Sequence, residues 1–119
     1  MELESQGLTL FEAARQKGIP FTQNNEPLDR NIAARNMNFH YLEWGEINSP
    51  TILMLHGNAQ QAHSWDFISL ALSDKYRIIA LDQRGHGDSD WSPTSDYSTQ
   101  EQVKDINSII SSLGLQEFH

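Results

Sequence analysis

Residues Thr51–Ala59 read TILMLHGNA, and residues Tyr76–Trp91 read YRIIALDQRGHGDSDW. Each stretch starts as a continuous apolar run and ends in a glycine-containing loop. A run of this kind marks a strand buried on both faces, which predicts strands over Thr51–Leu55 and Tyr76–Leu81. Between them, Trp65, Ile68 and Leu72 fall at spacings of three and four, so the pattern predicts a helix over Gln60–Leu72. Strand, loop, helix, strand and loop in this order imply parallel strands with helices packed on their faces. The chain ends at His119, about where a further parallel strand would begin.

The flanking sequence extends the same architecture. Ser98-Thr99-Gln100-Glu101-Gln102 offers two overlapping capping boxes, Ser98 with Glu101 and Thr99 with Gln102. Val103, Ile106, Ile109, Ile110 and Leu113 then form one apolar helical face, and Gly114 ends it. Upstream, Asn38–Gly45 is rich in aromatics, with Phe39, Tyr41 and Glu43 alternating with His40, Leu42 and Trp44, as in a strand. Asn31–Met37 is expected as its antiparallel partner, with a turn near Asn36–Asn38. Residues 1–30 read as a polar lead-in with one short helix. Thr9 is the expected N-cap with Glu12 reaching back, and Gly18 and Pro20 stop the helix. Residues 31–119 then form one α/β unit: a mostly parallel sheet with flanking helices and an antiparallel strand pair at its start.

Bulk properties narrow the function classes. The net charge is −8, from 16 acidic and 8 basic residues. That balance disfavours binding to a phosphate backbone or to anionic lipid, so no nucleic-acid or membrane partner is expected. No apolar run approaches the roughly 20 residues that span a bilayer. The first residues are acidic and polar, unlike a secretory leader. There is no cysteine, hence no disulfide framework and no thiol chemistry. A cytoplasmic location is the expectation.

In open α/β sheets ligands bind beyond the carboxyl ends of the strands. Two loops belong there, His56–Gln60 and Asp82–Trp91. Gly57 permits a sharp turn and a close approach of the backbone to a ligand. The amide of Asn58 could then point into the cleft and stabilise a developing oxyanion. The alternative is that Gly57 only satisfies a turn.

His56-Gly57-Asn58 after one apolar strand and Asp82-Gln83-Arg84-Gly85-His86-Gly87-Asp88-Ser89-Asp90-Trp91 after the next resemble the α/β-hydrolase fold superfamily. Phe39–Gly45 looks like that family's second strand, and Ser64-Trp65 like the start of its first helix. The resemblance covers residues 31–119. It implies hydrolysis of an ester, lactone, epoxide or carbon–carbon bond in a small-molecule substrate. It assigns the Asn58 N–H to the oxyanion hole, and Gly57, Asn58 and Trp65 to the substrate pocket. It implies no cofactor and no metal. In dehalogenase-like relatives His-Gly-Asn is followed by proline, whereas Ala59 stands here. The family's Gly-x-Ser-x-Gly nucleophile turn is absent from these 119 residues. Leu115–His119 looks like the start of the nucleophile strand, so the family's nucleophile, acid and base are expected downstream. His119 does not match the catalytic base.

Other constellations were weighed. His56, Asp82 and Ser89 have triad composition, but nothing in the sequence holds Ser89 on a nucleophile turn. Gly85–Asp90 lacks the third glycine of a dinucleotide loop, and its aspartates would repel pyrophosphate. His40, His56, His63, His86 and His119 lack metal-ligand spacing. Arg84 is expected to pair with Asp82 or Asp88 and fix its loop. Trp65 and Trp91 are expected to pack near the cleft mouth. Two readings result. In one, the chain is the N-terminal segment of a hydrolase and is inactive alone. In the other, it is a non-catalytic module that pairs with itself or another chain through an exposed Thr51–Leu55 edge.

Overall fold

The computed structural model of the chain describes residues 8–22 and 25–119. The polar residues 1–7, read above as unlike a leader, lie outside them, as does part of the loop before the first strand. The sheet is organised around β2 (Met37–Trp44), which is buried along almost its whole length. Alternation along β2 sends Phe39 and Tyr41 to one face and Leu42 and Trp44 to the other, and each pair joins a separate apolar cluster.

β1 (Leu28–Ala34) pairs with β2 antiparallel, Asn31 opposite His40 and Ala34 opposite Met37. The hairpin turns through two residues, Arg35 (φ 52) and Asn36 (φ 61), both left-handed. Two left-handed residues match the right-handed twist of the flanking strands. The strand therefore starts at Leu28 and turns earlier than the sequence suggested. Asn tolerates this conformation. Arg35 is held there from outside, by a 2.9 Å ion pair to Asp105 and bonds to Glu101. β4 (Arg77–Leu81) runs antiparallel to β2 on its other side, and β3 (Thr51–Leu55) lies parallel to β4, giving the order β1-β2-β4-β3.

Helices cover both faces. α1 (Leu10–Gln16) and α2 (Asp66–Leu72) pack over Leu42, Trp44, Met54, Ile78 and Ala80. α3 (Thr99–Leu113) covers Phe39, Tyr41, Ile79 and Leu81 with Ile109 at its centre. The N-caps are Thr9 and Ser98, as expected: Thr9 Oγ1 accepts from Glu12 N at 3.1 Å, and Ser98 Oγ from Glu101 N at 3.3 Å. Among the described residues no return bond completes either box, and Gln102 bonds Tyr97 O instead of Thr99. Gly114 closes α3 at φ 68. Of the expected apolar face, Ile109 is buried and Ile106, Ile110 and Leu113 are half-buried, whereas Val103 is exposed.

Two expectations are corrected. The helix over Gln60–Leu72 is instead a 3-10 turn, Ala62–Trp65, followed by the seven residues of α2. Its buried positions are Asp66, Ser69, Leu70 and Ser73, while Ile68 is 48% exposed. The buried face carries polar groups that each find a partner, Ser69 Oγ on Met54 Sδ of β3. Asp66 is held by His63 Nδ1 at 2.9 Å, and Ser73 donates to Leu70 O. A hydrophobic pattern cannot detect such a face. The second correction is to β3, whose burial is partial: Ile52 and Met54 pack into one cluster and Leu53 into the other, but it is the outer strand and Leu55 is 41% exposed. Its edge is partly used, because Phe118 bridges Thr51 in parallel. His119 N donates to Thr51 O at 3.0 Å, and Leu53 N to His119 O at 2.8 Å.

Charge also locks α3 to the sheet. Asp105 accepts two bonds from Arg84, Nε at 2.6 Å and Nη2 at 2.7 Å, with both residues buried. Arg84 thus fixes its loop as expected, but its carboxylate comes from α3 and not from Asp82 or Asp88. Hydrogen bonding to Asp105 outweighs burial and raises the Arg84 pKa. Breaking such a pair from one side strands a buried charge. Asp105→Ala should cost about 3–5 kcal/mol in urea unfolding. The double change R84M/D105L should cost less, because Arg84 is then not left as a buried unpaired charge, while the exposed Arg35 keeps Glu101.

Candidate active site

The loops after β3 and β4 sit side by side, and hydrogen bonds join them. His56 leaves β3 buried. Its Nε2 accepts from the Gln83 main-chain N–H at 3.0 Å. Nδ1 must then carry the proton, and it donates to Gly57 O at 2.8 Å. The Gln83 side-chain amide donates to His56 O at 2.6 Å. Six residues after His56 the loop is pinned again, where Ala62 N donates to Asp82 Oδ1 at 2.7 Å.

Between these pins lies a four-residue turn. Gln60 N donates to Gly57 O at 3.2 Å, and Gly57 N to Gln60 Oε1 at 3.0 Å. The left-handed residue is Ala59, φ 61, and not Gly57. A Cβ on Gly57 would meet only the Gln60 side-chain oxygen, at 3.0 Å. Gly57 therefore supplies room, and Ala59 takes the conformation that turns of this type reserve for glycine. Proline, the residue of the dehalogenase-like relatives, cannot adopt that φ. Gly57 and Asn58 are both exposed. The Asn58 amide makes no hydrogen bond among the described residues. Trp65 is half-buried and packs into the cluster under α1 and α2. Trp91, expected to pack, is 79% exposed.

Beneath the loops lies Asp82, 2% exposed. Its carboxylate accepts from Ala62 N, from Asp88 N at 3.0 Å and from His40 Nδ1 at 2.7 Å. A Cβ on Gly87, φ 50, would collide with this carboxylate, so glycine is required there on two counts. Ser89 Oγ donates to Asp82 O at 2.5 Å and accepts from His40 N at 2.9 Å. His56, Asp82 and Ser89 are near one another, as their strand ends demand, yet no proton path joins them. Both His56 nitrogens are occupied, and the Ser89 hydroxyl is bound to backbone. The three residues form a structural joint.

His40 is the member that sequence reading passed over. Its ring lies between two carboxylates, Asp82 on Nδ1 and Asp29 on Nε2, each at 2.7 Å. A histidine within a strand of aromatic and aliphatic residues was the available signal. His40, Asp82 and Asp88 also bring ligand atoms within 4.8 Å of one another. The His40 and Asp82 atoms already bond each other. Gln83 was missed as well, because nothing local marks a polar residue that will reach across to the neighbouring strand. Two hollows lie elsewhere among the described residues. One of about 200 Å³ is lined by Glu43, Gly45 and Asp74, and an open groove of about 590 Å³ by Pro50, Thr51 and Phe118.

Burial opposes a charge on His40, but the carboxylates of Asp82 and Asp29 outweigh it and raise the pKa. A raised folded pKa contributes stability that is fully present below the unfolded value, about 6.5, and is lost as pH rises through the folded value. The melting temperature should therefore fall as pH rises above about 6.5, and His40→Gln should remove that component of the slope. Ala59→Gly should raise stability by roughly 0.5–1 kcal/mol by relieving the left-handed alanine, and Ala59→Pro should lower it. Both are read by thermal melts.

The α/β-hydrolase family model, described as alpha/beta hydrolase fold, matches residues 50–119. The chain is 37% identical over 109 residues to epoxide hydrolase 1 of Caenorhabditis elegans, covering 91% of this chain and 26% of that protein. It is 34% identical over 91 residues to an esterase of Mycobacterium tuberculosis, covering 76% and 28%. The crystal structure of an epoxide hydrolase from Vigna radiata superposes with a TM-score of 0.72 at 36% identity, over 78% of this chain and 30% of that one. The chain thus spans less than a third of the length of these relatives. With a mixed sheet between two helical layers and the paired strand-end loops, it belongs to the α/β-hydrolase fold family.

Proposed function

We propose that this chain builds the N-terminal part of a hydrolase core and supplies one donor of its oxyanion hole, the N–H of Asn58. One observation carries the reading. The Asn58 amide is unpaired at the open top of a loop that is fixed at both ends. Preorganised donors of this kind contribute most where negative charge develops, because they need no reorganisation during reaction. The reaction class is attack by an activated nucleophile on a small-molecule ester, lactone, epoxide or carbon–carbon-cleavage substrate. Charge builds on the substrate-derived oxygen next to Asn58 N–H. The names of the relatives point first to epoxides and esters. Nucleophile, acid and base come from polypeptide beyond these 119 residues, since His56, Asp82 and Ser89 are committed to structure.

The net charge of −8 supports a small-molecule partner over nucleic acid or anionic membrane. Among the described residues no helix is long and apolar enough to cross a membrane. The lack of cysteine fits a cytoplasmic setting.

A second reading, a non-catalytic pairing module, is favoured by the outer edge of β3. Beyond Leu53, nothing among the described residues pairs with Met54 and Leu55 on that side. An apolar strand edge is a template for another strand.

The two readings separate experimentally. The 119-residue chain alone should not hydrolyse p-nitrophenyl butyrate or styrene oxide above buffer, and turnover by it would refute the assignment. The same chain expressed with its downstream reading frame should hydrolyse at least one of them. In that protein Asn58→Pro removes the amide hydrogen at a turn position where proline is well tolerated. It should lower kcat about 100-fold with little change in KM.

A further inference from the structure

We infer that Gln83 is a positioning residue, aiming the oxyanion loop from the neighbouring strand; this rests on the role proposed for Asn58. The bonds inside the loop, between Gly57 and Gln60, set its shape but cannot set its direction. Direction comes from three bonds that cross to the end of β4. Ala62 N reaches Asp82, and the other two converge on His56 from Gln83. His56 lies only two residues before Asn58.

The ladder between β3 and β4 ends at the pair Leu55 and Leu81. Past it the strands part, and His56 O would lose a backbone donor. A buried carbonyl without a donor is costly. The Gln83 side-chain amide takes the place of that donor at 2.6 Å, while the main-chain N–H of the same residue fixes the His56 ring. Only the side-chain bond depends on which residue occupies position 83.

The lever is short and sensitive. Two residues of chain span about 7 Å. A rotation of about 10° at His56 therefore moves the Asn58 amide by about 1 Å over that arm. A displacement of about 1 Å in a catalytic group can cost about 100-fold in rate.

Two substitutions test the inference. Gln83→Met keeps length and removes the donor. Gln83→Glu restores a donor only when protonated, so its O–H can reach His56 O at low pH and its carboxylate repels that oxygen at high pH. In the 15N-labelled 119-residue chain, Q83M should shift the amide resonances of Gly57–Gln60 and leave those of β2 and α3 in place. In the protein with its downstream reading frame, Q83M should lower kcat about 10–100-fold with KM within about twofold. The Q83E-to-wild-type ratio of kcat should climb as pH falls, whereas the Q83M ratio stays flat. Unshifted loop resonances in Q83M would overturn the inference, as would an unchanged kcat or a flat Q83E ratio. Should the parent protein show no hydrolysis at all, the role of Asn58 fails. The resonance shifts then still decide whether Gln83 aims the loop.

Discussion

Everything at the carboxyl end of this sheet depends on one buried carboxylate. Asp82 cannot sit unpaired in the interior without a large cost. Its partners arrive from three different segments: Ala62 after β3, Asp88 in the loop after β4, and His40 in β2. Satisfying the charge therefore brings these segments together. The loop after β4 is stitched to β2 by further bonds. Asp90 N donates to Asn38 O and Asn38 N to Asp90 Oδ2, while Ser89 bridges Asp82 and His40. Gly87 presses against the carboxylate so closely that no side chain fits there.

This arrangement gives the two loops different roles. The Asp82–Trp91 loop spends its polar groups downward and sideways, on β2 and on α3 through Arg84. It forms a rigid floor. The His56–Gln60 turn is tied to that floor only at its ends and leaves the Asn58 and Ala59 amides without a bond among the described residues. A donor held by its flanks and free at its centre suits the stabilisation of a transient charge. It can form its bond in the transition state without breaking one first. The left-handed Ala59 belongs to the same economy. Strained backbone persists where surrounding bonds over-determine it, and here Gln60 bonds Gly57 on both sides of the turn.

What the sequence disclosed depended on how far each interaction reaches along the chain. Strands with period-two or continuous apolar patterns were legible, and so was α3, whose caps lie within three residues of their partners. The hairpin turn, expected near Asn36–Asn38, falls at Arg35–Asn36. Arg35 holds a left-handed position only because Asp105 and Glu101, some 70 residues on, grip its side chain. The buried face of α2 was hidden because its polar residues are satisfied in ways apolar periodicity does not count. Arg84 was correctly read as structural and given the wrong carboxylate, since the true partner lies 21 residues away on a helix. The loops after β3 and β4 were located by strand-end logic. The side chains that join them, His40 and Gln83, reach across 42 and 27 residues, and no local pattern specifies such partners.

The triad composition at this site shows why location alone does not make a catalytic group. A histidine base needs one nitrogen free to take a proton, and both nitrogens of His56 are engaged, one as donor and one as acceptor. A serine nucleophile needs a hydroxyl whose proton can leave toward a base. The Ser89 proton points at the carbonyl of Asp82, which cannot hold it. An orienting aspartate must bond that base, and the carboxylate of Asp82 bonds His40 and two backbone amides, not His56. Counting donors and acceptors leaves the Asn58 and Ala59 amides as the backbone donors of the His56–Gln60 turn without a hydrogen bond among the described residues. A site acting through a backbone amide, as proposed for Asn58, leaves the side chain at position 58 free to vary so long as the two flanking pins keep the amide aimed.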